Sequence, residues 1–149
     1  MFADIRGFTS LSENKLPYDV VFVLNQYLGQ MSDTISDAGG YVDKFLGDGI
    51  MAIFGMEKTL PQGARDALVA AKAMDLVLSS INQSLAADLD KPLTIGIGIH
   101  TGPAILGRIG VKGGSGAAQR ITALGDMVNT ASRLESACKE LTCQLIVSE

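Results

Sequence analysis

Between residues 16 and 38, apolar side chains recur at Val20, Leu24, Tyr27, Leu28, Met31 and Ile35, the spacing of one helix face. Pro17 suits the start of that helix. Gly39-Gly40 suits its end, since glycine reaches the left-handed conformation that stops a helix. Tyr41–Leu46 and Ile50–Phe54 then flank Gly47-Asp48-Gly49, two β-rich segments around an Asp-Gly turn of the kind that commonly adopts type I′. A second helix is predicted over about residues 61–85, with Ala64, Ala67, Leu68, Ala71, Met74, Leu78, Ile81 and Leu85 inward. Strict alternation follows, with Leu93, Ile95, Ile97 and Ile99 on one face and Thr94, Gly96, Gly98 and His100 on the other. That is a strand with one face on a core and one face lean enough for close approach. Thr101-Gly102-Pro103 turns it into a hairpin partner, Ala104–Ile109. Val111–Gln119, with three glycines, reads as a mobile loop and lacks the Gly-Lys-Ser/Thr of a P-loop. A third helix opens at Gly125-Asp126 with Asp126 as its N-cap and Val128, Ala131, Leu134, Cys138 and Leu141 inward. Leu145-Ile146-Val147 begins a last strand.

Strand, helix, hairpin, helix, hairpin, helix, strand is the order of an α+β sandwich: a mostly antiparallel sheet with helices on one face, the ferredoxin-like arrangement. The 149 residues suit one domain, and 47% hydrophobic residues with a net charge of -4 exclude a disordered chain. Apolar runs such as Val20–Leu24 and Ile50–Phe54 fall far short of the ~20 residues that span a bilayer. The first residues reach a charge before any apolar stretch, which does not read as a signal peptide. Cys138 and Cys143 suit buried thiols in a reducing cytoplasm. A pI near 4.9 argues against a nucleic-acid surface, so a polyanionic ligand needs a local site.

Three segments can carry chemistry. In Phe2-Ala3-Asp4-Ile5-Arg6-Gly7-Phe8-Thr9, a strand delivers Asp4 to its end, and the amides around Gly7, Phe8 and Thr9 can face an anion. Beside such amides, a carboxylate can hold a divalent cation that bridges to phosphate; taken alone, Asp4 equally well caps the next turn. Asp48 sits at a hairpin tip with glycines on both sides, a pattern that also needs no function. The two aspartates become informative if their strands are neighbours, as the first and third strands of a ferredoxin-like sheet are. They would then suit two hard cations clamping a phosphoryl group. Asn129 and Arg133, four apart on the third helix, share a face about 100° from its core stripe. Together they suit a charged oxygen that develops during reaction, or simply a solvated helix face.

Phe-Ala-Asp-Ile-Arg-Gly-Phe-Thr, Lys-Phe-Leu-Gly-Asp-Gly, Gly-Ile-His-Thr-Gly-Pro and Gly-Asp-Met-Val-Asn-Thr-Ala-Ser-Arg-Leu, in that order, resemble the class III nucleotidyl cyclase catalytic domain. The resemblance implies that Asp4, Asp48 and the Ile5 carbonyl hold two Mg2+ or Mn2+. It implies that Lys44 and Thr122 read the purine edge, and that Asn129 and Arg133 orient the ribose and stabilise the pentavalent phosphorus. The site it implies lies between two domains of a head-to-tail homodimer, with the aspartates from one and Lys44, Thr122, Asn129 and Arg133 from the other. The lean strand face fits the same expectation of a dimer.

A lysine can only donate, which suits adenine N1, and threonine can accept from adenine N6. The substrate implied is therefore ATP, as in a bacterial-type subgroup with this Lys/Thr pair. The threonine hydroxyl can also donate, which leaves discrimination against GTP loose. The chain is expected to be a catalytic domain incomplete at both ends, with three residues before Asp4 and without the later strands whose lysine contacts the triphosphate. Its place is expected to be cytoplasmic, with no membrane contact from this segment and a regulatory domain that the sequence does not identify. The rivals are a cyclase-fold module that senses nucleotide without turnover, and a guanylate cyclase. Arg6 reads as facing solvent or an interface, His100 as packed or interfacial.

Overall fold

A computed structural model describes residues 1–13, 15–109 and 120–148; the glycine-rich segment read as a mobile loop lies outside the described residues. Strand β1 (Phe2–Ile5) leads into a short helix α1 (Phe8–Glu13) and the long helix α2 (Pro17–Asp37). A hairpin of β2 (Tyr41–Leu46) and β3 (Gly49–Ile53) precedes helix α3 (Leu60–Ser84). Then come β4 (Ile95–Ile99), β5 (Ile105–Ile109), β6 (Arg120–Leu124), helix α4 (Asp126–Glu140) and β7 (Leu145–Val147). Five strands form one sheet in the order β2-β3-β1-β4-β7, antiparallel except for β7 beside β4, and β5 pairs with β6 in a separate ribbon.

Helix α2 buries Val23, Tyr27, Met31 and Ile35, four side chains with no exposure at a spacing of four. That stripe is rotated from the predicted one: Leu24 and Leu28 lie at its margin, and Val23 lies at its centre. Helix α3 opens with a capping box, in which Thr59 and Gln62 satisfy free amides at the helix start, and it buries Ala67, Ala70, Ala71, Met74, Leu78 and Ile81. Leu68, expected inside, is 44% exposed, while Ala70 takes the inward place.

Strand register assigns the two faces, because paired residues in a ladder point the same way. Ala3 pairs with Ile50 and Ile97, and Ile5 with Ile95; this face meets α2 and α3 in one core. Phe2 pairs with Met51 and Gly98, Asp4 with Gly96, and Lys44 with Met51, so Asp4 and Lys44 share the opposite face. Helix α4 covers that second face. A Cβ on Gly98 would stand 2.3 Å from the Ala131 carbonyl oxygen and 2.3 Å from the Glu135 nitrogen, so glycine admits the helix backbone itself.

The α+β class and antiparallel-dominated sheet are as expected, but helices cover both faces instead of one: α4 lies across the face opposite α2 and α3, admitted by the bare backbone at Gly98. The lean strand face expected to serve a dimer instead receives the chain's own α4 and the Arg6 guanidinium. The second hairpin is also drawn differently. Strand β4 pairs with β1 and β7 inside the sheet, and β5 pairs with β6, a strand that its short run of alternating residues did not announce. Helix α4 begins at Asp126 with Gly125 as N-cap and no side-chain cap, so Asp126 is a first-turn acid. Among the described residues no helix is long and apolar enough to cross a membrane.

Candidate active site

Asp4 lies near the end of β1, one register step beyond the Ala3–Ile50 pair. Asp48 lies in the two-residue loop that joins β2 to β3, where Leu46 pairs with Gly49. Gly47, the first loop residue, has φ +68, and Asp48 does not share the positive φ. This is the pattern of a type II′ turn, with Gly47-Asp48 as its centre instead of a type I′ Asp48-Gly49. The turn aims Asp48 at its neighbour strand. Gly49 keeps the space clear: a Cβ there would be 3.4 Å from Asp4 Oδ1.

The two carboxyl groups meet closely enough to share a hydrogen bond. Burial pushes Asp4 up to about 7, and the charge of Asp48, their shared hydrogen bond and the charge of Glu135 add to it. The Ile5 amide donates to Asp4 Oδ1 at 2.9 Å and opposes the rise. Two carboxylates forced together at such a penalty suit a hard divalent cation, which takes one or two carboxylates and fills its shell with carbonyl, water and phosphate oxygens. Among the described residues no group of three or more His, Cys, Asp or Glu is placed to hold a metal ion by itself, so this pair would need carbonyl, water or phosphate oxygens to complete a shell. Ile5 is buried at the end of β1, next to Asp4. Gly7, with φ +69, turns the chain into α1, whose first residues Phe8 and Thr9 have amides without intrahelical acceptors.

On the same face, β2 carries a bulge between Val42 and Lys44, and Asp43 is the extra residue. A bulge re-aims side chains, and here consecutive residues converge. The Asp43 carboxylate is buried; its Oδ2 accepts the Thr122 hydroxyl at 2.5 Å and stands 3.7 Å from Lys44 Nζ. Lys44 and Thr122 are thus brought together, through a residue that the sequence reading passed over. Its signal was an acid in an apolar strand run, Tyr41-Val42-Asp43-Lys44-Phe45.

Asn129 and Arg133 lie on α4, exposed, and among the described residues neither side chain has a hydrogen bond or ion pair. Arg6, expected to face solvent or an interface, instead packs within the chain. It lies over Gly96, where its guanidinium occupies the space of a Cβ, donates to the Glu135 carbonyl at 3.0 Å and pairs with Glu135 Oε1 at 3.3 Å. Glu135 is itself raised by burial and by Asp48, against the pull of Arg6. The Tyr27 hydroxyl is buried without a partner among the described residues. Burial and the charges of Asp4, Asp48 and Glu135 hold its pKa above the ordinary range. His100 Nδ1 meets Ser148 Oγ at 2.5 Å, a packed position.

An antiparallel sheet thus presents two facing aspartates beside a glycine turn, with a Lys-Asp-Thr cluster on the same face, the arrangement that the resemblance to nucleotidyl cyclases leads one to expect. The chain belongs to the family described as the adenylate and guanylate cyclase catalytic domain, which matches residues 1–148. It is 38% identical to an adenylate cyclase of Anabaena cylindrica over all of this chain, and spans 29% of that protein. Among solved structures it resembles the adenylyl cyclase CyaB from P. aeruginosa, with TM-score 0.82 and 39% identity over 91% of this chain and 69% of that one. It equally resembles the guanylyl cyclase Cya2, with TM-score 0.80 and 40% identity over 91% of this chain and 66% of that one. Likeness alone does not choose the base.

Proposed function

We propose that this chain is the catalytic unit of an adenylate cyclase, converting ATP to 3′,5′-cyclic AMP and pyrophosphate at a site shared by two copies of the domain. The meeting of Asp4 and Asp48 at one end of the sheet carries this reading. With the Ile5 carbonyl, they would hold two Mg2+ or Mn2+. Bound there, such cations would lower the pKa of the ribose 3′-hydroxyl and would supply positive charge for the departing phosphates. The amides of Phe8 and Thr9 after Gly7 offer donors to the triphosphate. In the reaction, the 3′-oxygen attacks the α-phosphorus in line, its proton leaves to solvent, and pyrophosphate departs. Arg133 answers the charge that grows on the phosphoryl oxygens, and Asn129 steadies the ribose.

Lys44 donates to adenine N1 and Thr122 accepts from N6. The outward position of Asn129 and Arg133 supports a head-to-tail homodimer, in which they and the Lys44–Thr122 pair act on nucleotide bound at the partner's aspartates. Phe45, Leu46, Ile105, Leu106 and Leu124, large and exposed beside that pair, support a covering partner. A cytoplasmic setting, where ATP is abundant, goes with this reading.

The test is manganese-dependent formation of cyclic AMP by the full-length protein, with GTP as competitor and Asp48→Ala as control. Cyclic AMP lost in the variant is the expected result. ATP binding without cyclic product under either metal would leave a nucleotide-sensing module instead.

A further inference from the structure

We infer that Asp43 is a specificity-determining residue that holds the Thr122 hydroxyl as a one-way acceptor, so that the site takes a 6-aminopurine and rejects a 6-oxopurine. The inference rests on the reading of Lys44 and Thr122 as the pair that meets the base. A threonine hydroxyl has one hydrogen and two lone pairs, and by itself it can serve either an amino group or a carbonyl. In this chain the hydrogen is already committed. Thr122 Oγ1 donates to Asp43 Oδ2 at 2.5 Å, between side chains with relative exposures of 6% and 2%. A carboxylate accepts and cannot donate in return. What Thr122 can offer a ligand is therefore lone pairs only, which welcome the N6 hydrogens of adenine and repel O6 of guanine.

The bulge makes this possible. Asp43 is the extra residue between Val42 and Lys44, and the backbone irregularity brings its carboxylate to the side of the sheet where Lys44 stands. Lys44 Nζ lies 3.7 Å from the same Oδ2, so one carboxylate orients both members of the pair. Lys44 remains a donor, matching N1 of adenine and opposing the N1 hydrogen of guanine. Asp43 touches neither base nor phosphate in this scheme; it is a positioning residue that acts through its two neighbours. Rejection comes from an unmatched polar contact in a buried place, which discriminates more strongly than shape.

The experiment compares Asp43→Asn and Thr122→Val with the wild type in the full-length protein, reading kcat/KM for ATP and GTP separately. An amide at position 43 can accept from or donate to Thr122, so the hydroxyl regains the freedom to donate to O6. The ATP to GTP ratio is expected to fall at least about tenfold in Asp43→Asn. A purely structural role would lower both values together and leave the ratio unchanged, which overturns the inference. If Thr122→Val shifts the ratio and Asp43→Asn does not, the pair reads the base without Asp43. If neither shifts it, the reading of the pair itself fails.

Should Asp43→Asn not fold, the wild type carries the test. 6-Methoxypurine riboside triphosphate keeps the N1 acceptor but replaces the amino group with an acceptor oxygen. Purine riboside triphosphate lacks the group, and N6-methyl-ATP controls for bulk. The expected order is N6-methyl-ATP, then the purine analogue, then the methoxy analogue. A methoxy analogue equal to or better than the purine analogue overturns the inference.

Discussion

Replacing Asp48 by Asn should make the protein more stable at alkaline pH in EDTA. Asp4 stands at about 7 against an ordinary 3.8, first through burial and then through Asp48. Below about pH 4 it is protonated in both folded and unfolded chains, and nothing is lost. Between about 4 and 7 the unfolded chain releases its proton while the folded chain keeps it, so stability falls as pH rises and stays reduced above 7. The full shift, from 3.8 to about 7, corresponds to about 4 kcal/mol. Burial is its largest cause, and solvent screening at a half-buried group reduces the share owed to Asp48 to about 1 kcal/mol. Asparagine keeps the shape of the side chain and donates to Asp4 where a carboxylate repelled it. Urea denaturation should show Asp48→Asn more stable than wild type by about 1 kcal/mol at pH 8, and equal to it at pH 5. Saturating Mn2+ should reverse the order, since a ligand at ~100 times its Kd adds about 2.7 kcal/mol to the wild type alone. An Asp48→Asn protein destabilised equally at both pH values in EDTA would refute the reasoning.

Tyr27→Phe removes a buried hydroxyl that has no partner among the described residues, and should hold or raise stability by about 1 kcal/mol; a loss of that size in chemical denaturation would reveal a partner. Gly98→Ala sets a methyl 2.3 Å from two backbone atoms of α4, and should lower stability by about 2–3 kcal/mol, read as a drop in Tm. An unchanged Tm would mean that α4 moves aside freely. Arg133→Ala should depress kcat far more than it raises KM, because its charge serves the transition state; a pure KM effect in steady-state kinetics would assign it to ground-state binding.

The long helices, the β2–β3 hairpin and the strand β4 were legible because each has a sustained period and glycines or prolines at its ends. The pairing of β4 was not, since adjacency along the chain favoured a hairpin with β5, while in the sheet β4 lies between β1, whose Ala3 and Ile5 are buried, and β7. Glycines at 96 and 98 signalled close approach correctly but not by what; the answer was the backbone of α4 and the guanidinium of Arg6. For the candidate site, Asp4 and Asp48 could be picked from turn chemistry, and their meeting followed from strand order. Asp43 left only the hint of an acid inside a strand run; its role was hidden, because a β-bulge leaves no mark in a period-two pattern and only the fold brings Thr122 to it. Arg6 was misjudged for a similar reason: its partner, Glu135, is remote in sequence.

To cyclise ATP, this domain needs Asp4 and Asp48 together to grip cations against a triphosphate. Calorimetric titration of Mn2+ into the full-length protein, saturated with an ATP analogue that cannot cyclise, measures that directly. The expected result is binding in the wild type that is lost when either Asp4→Asn or Asp48→Asn is introduced. Unchanged Mn2+ affinity in both variants, with the nucleotide still bound, would contradict it.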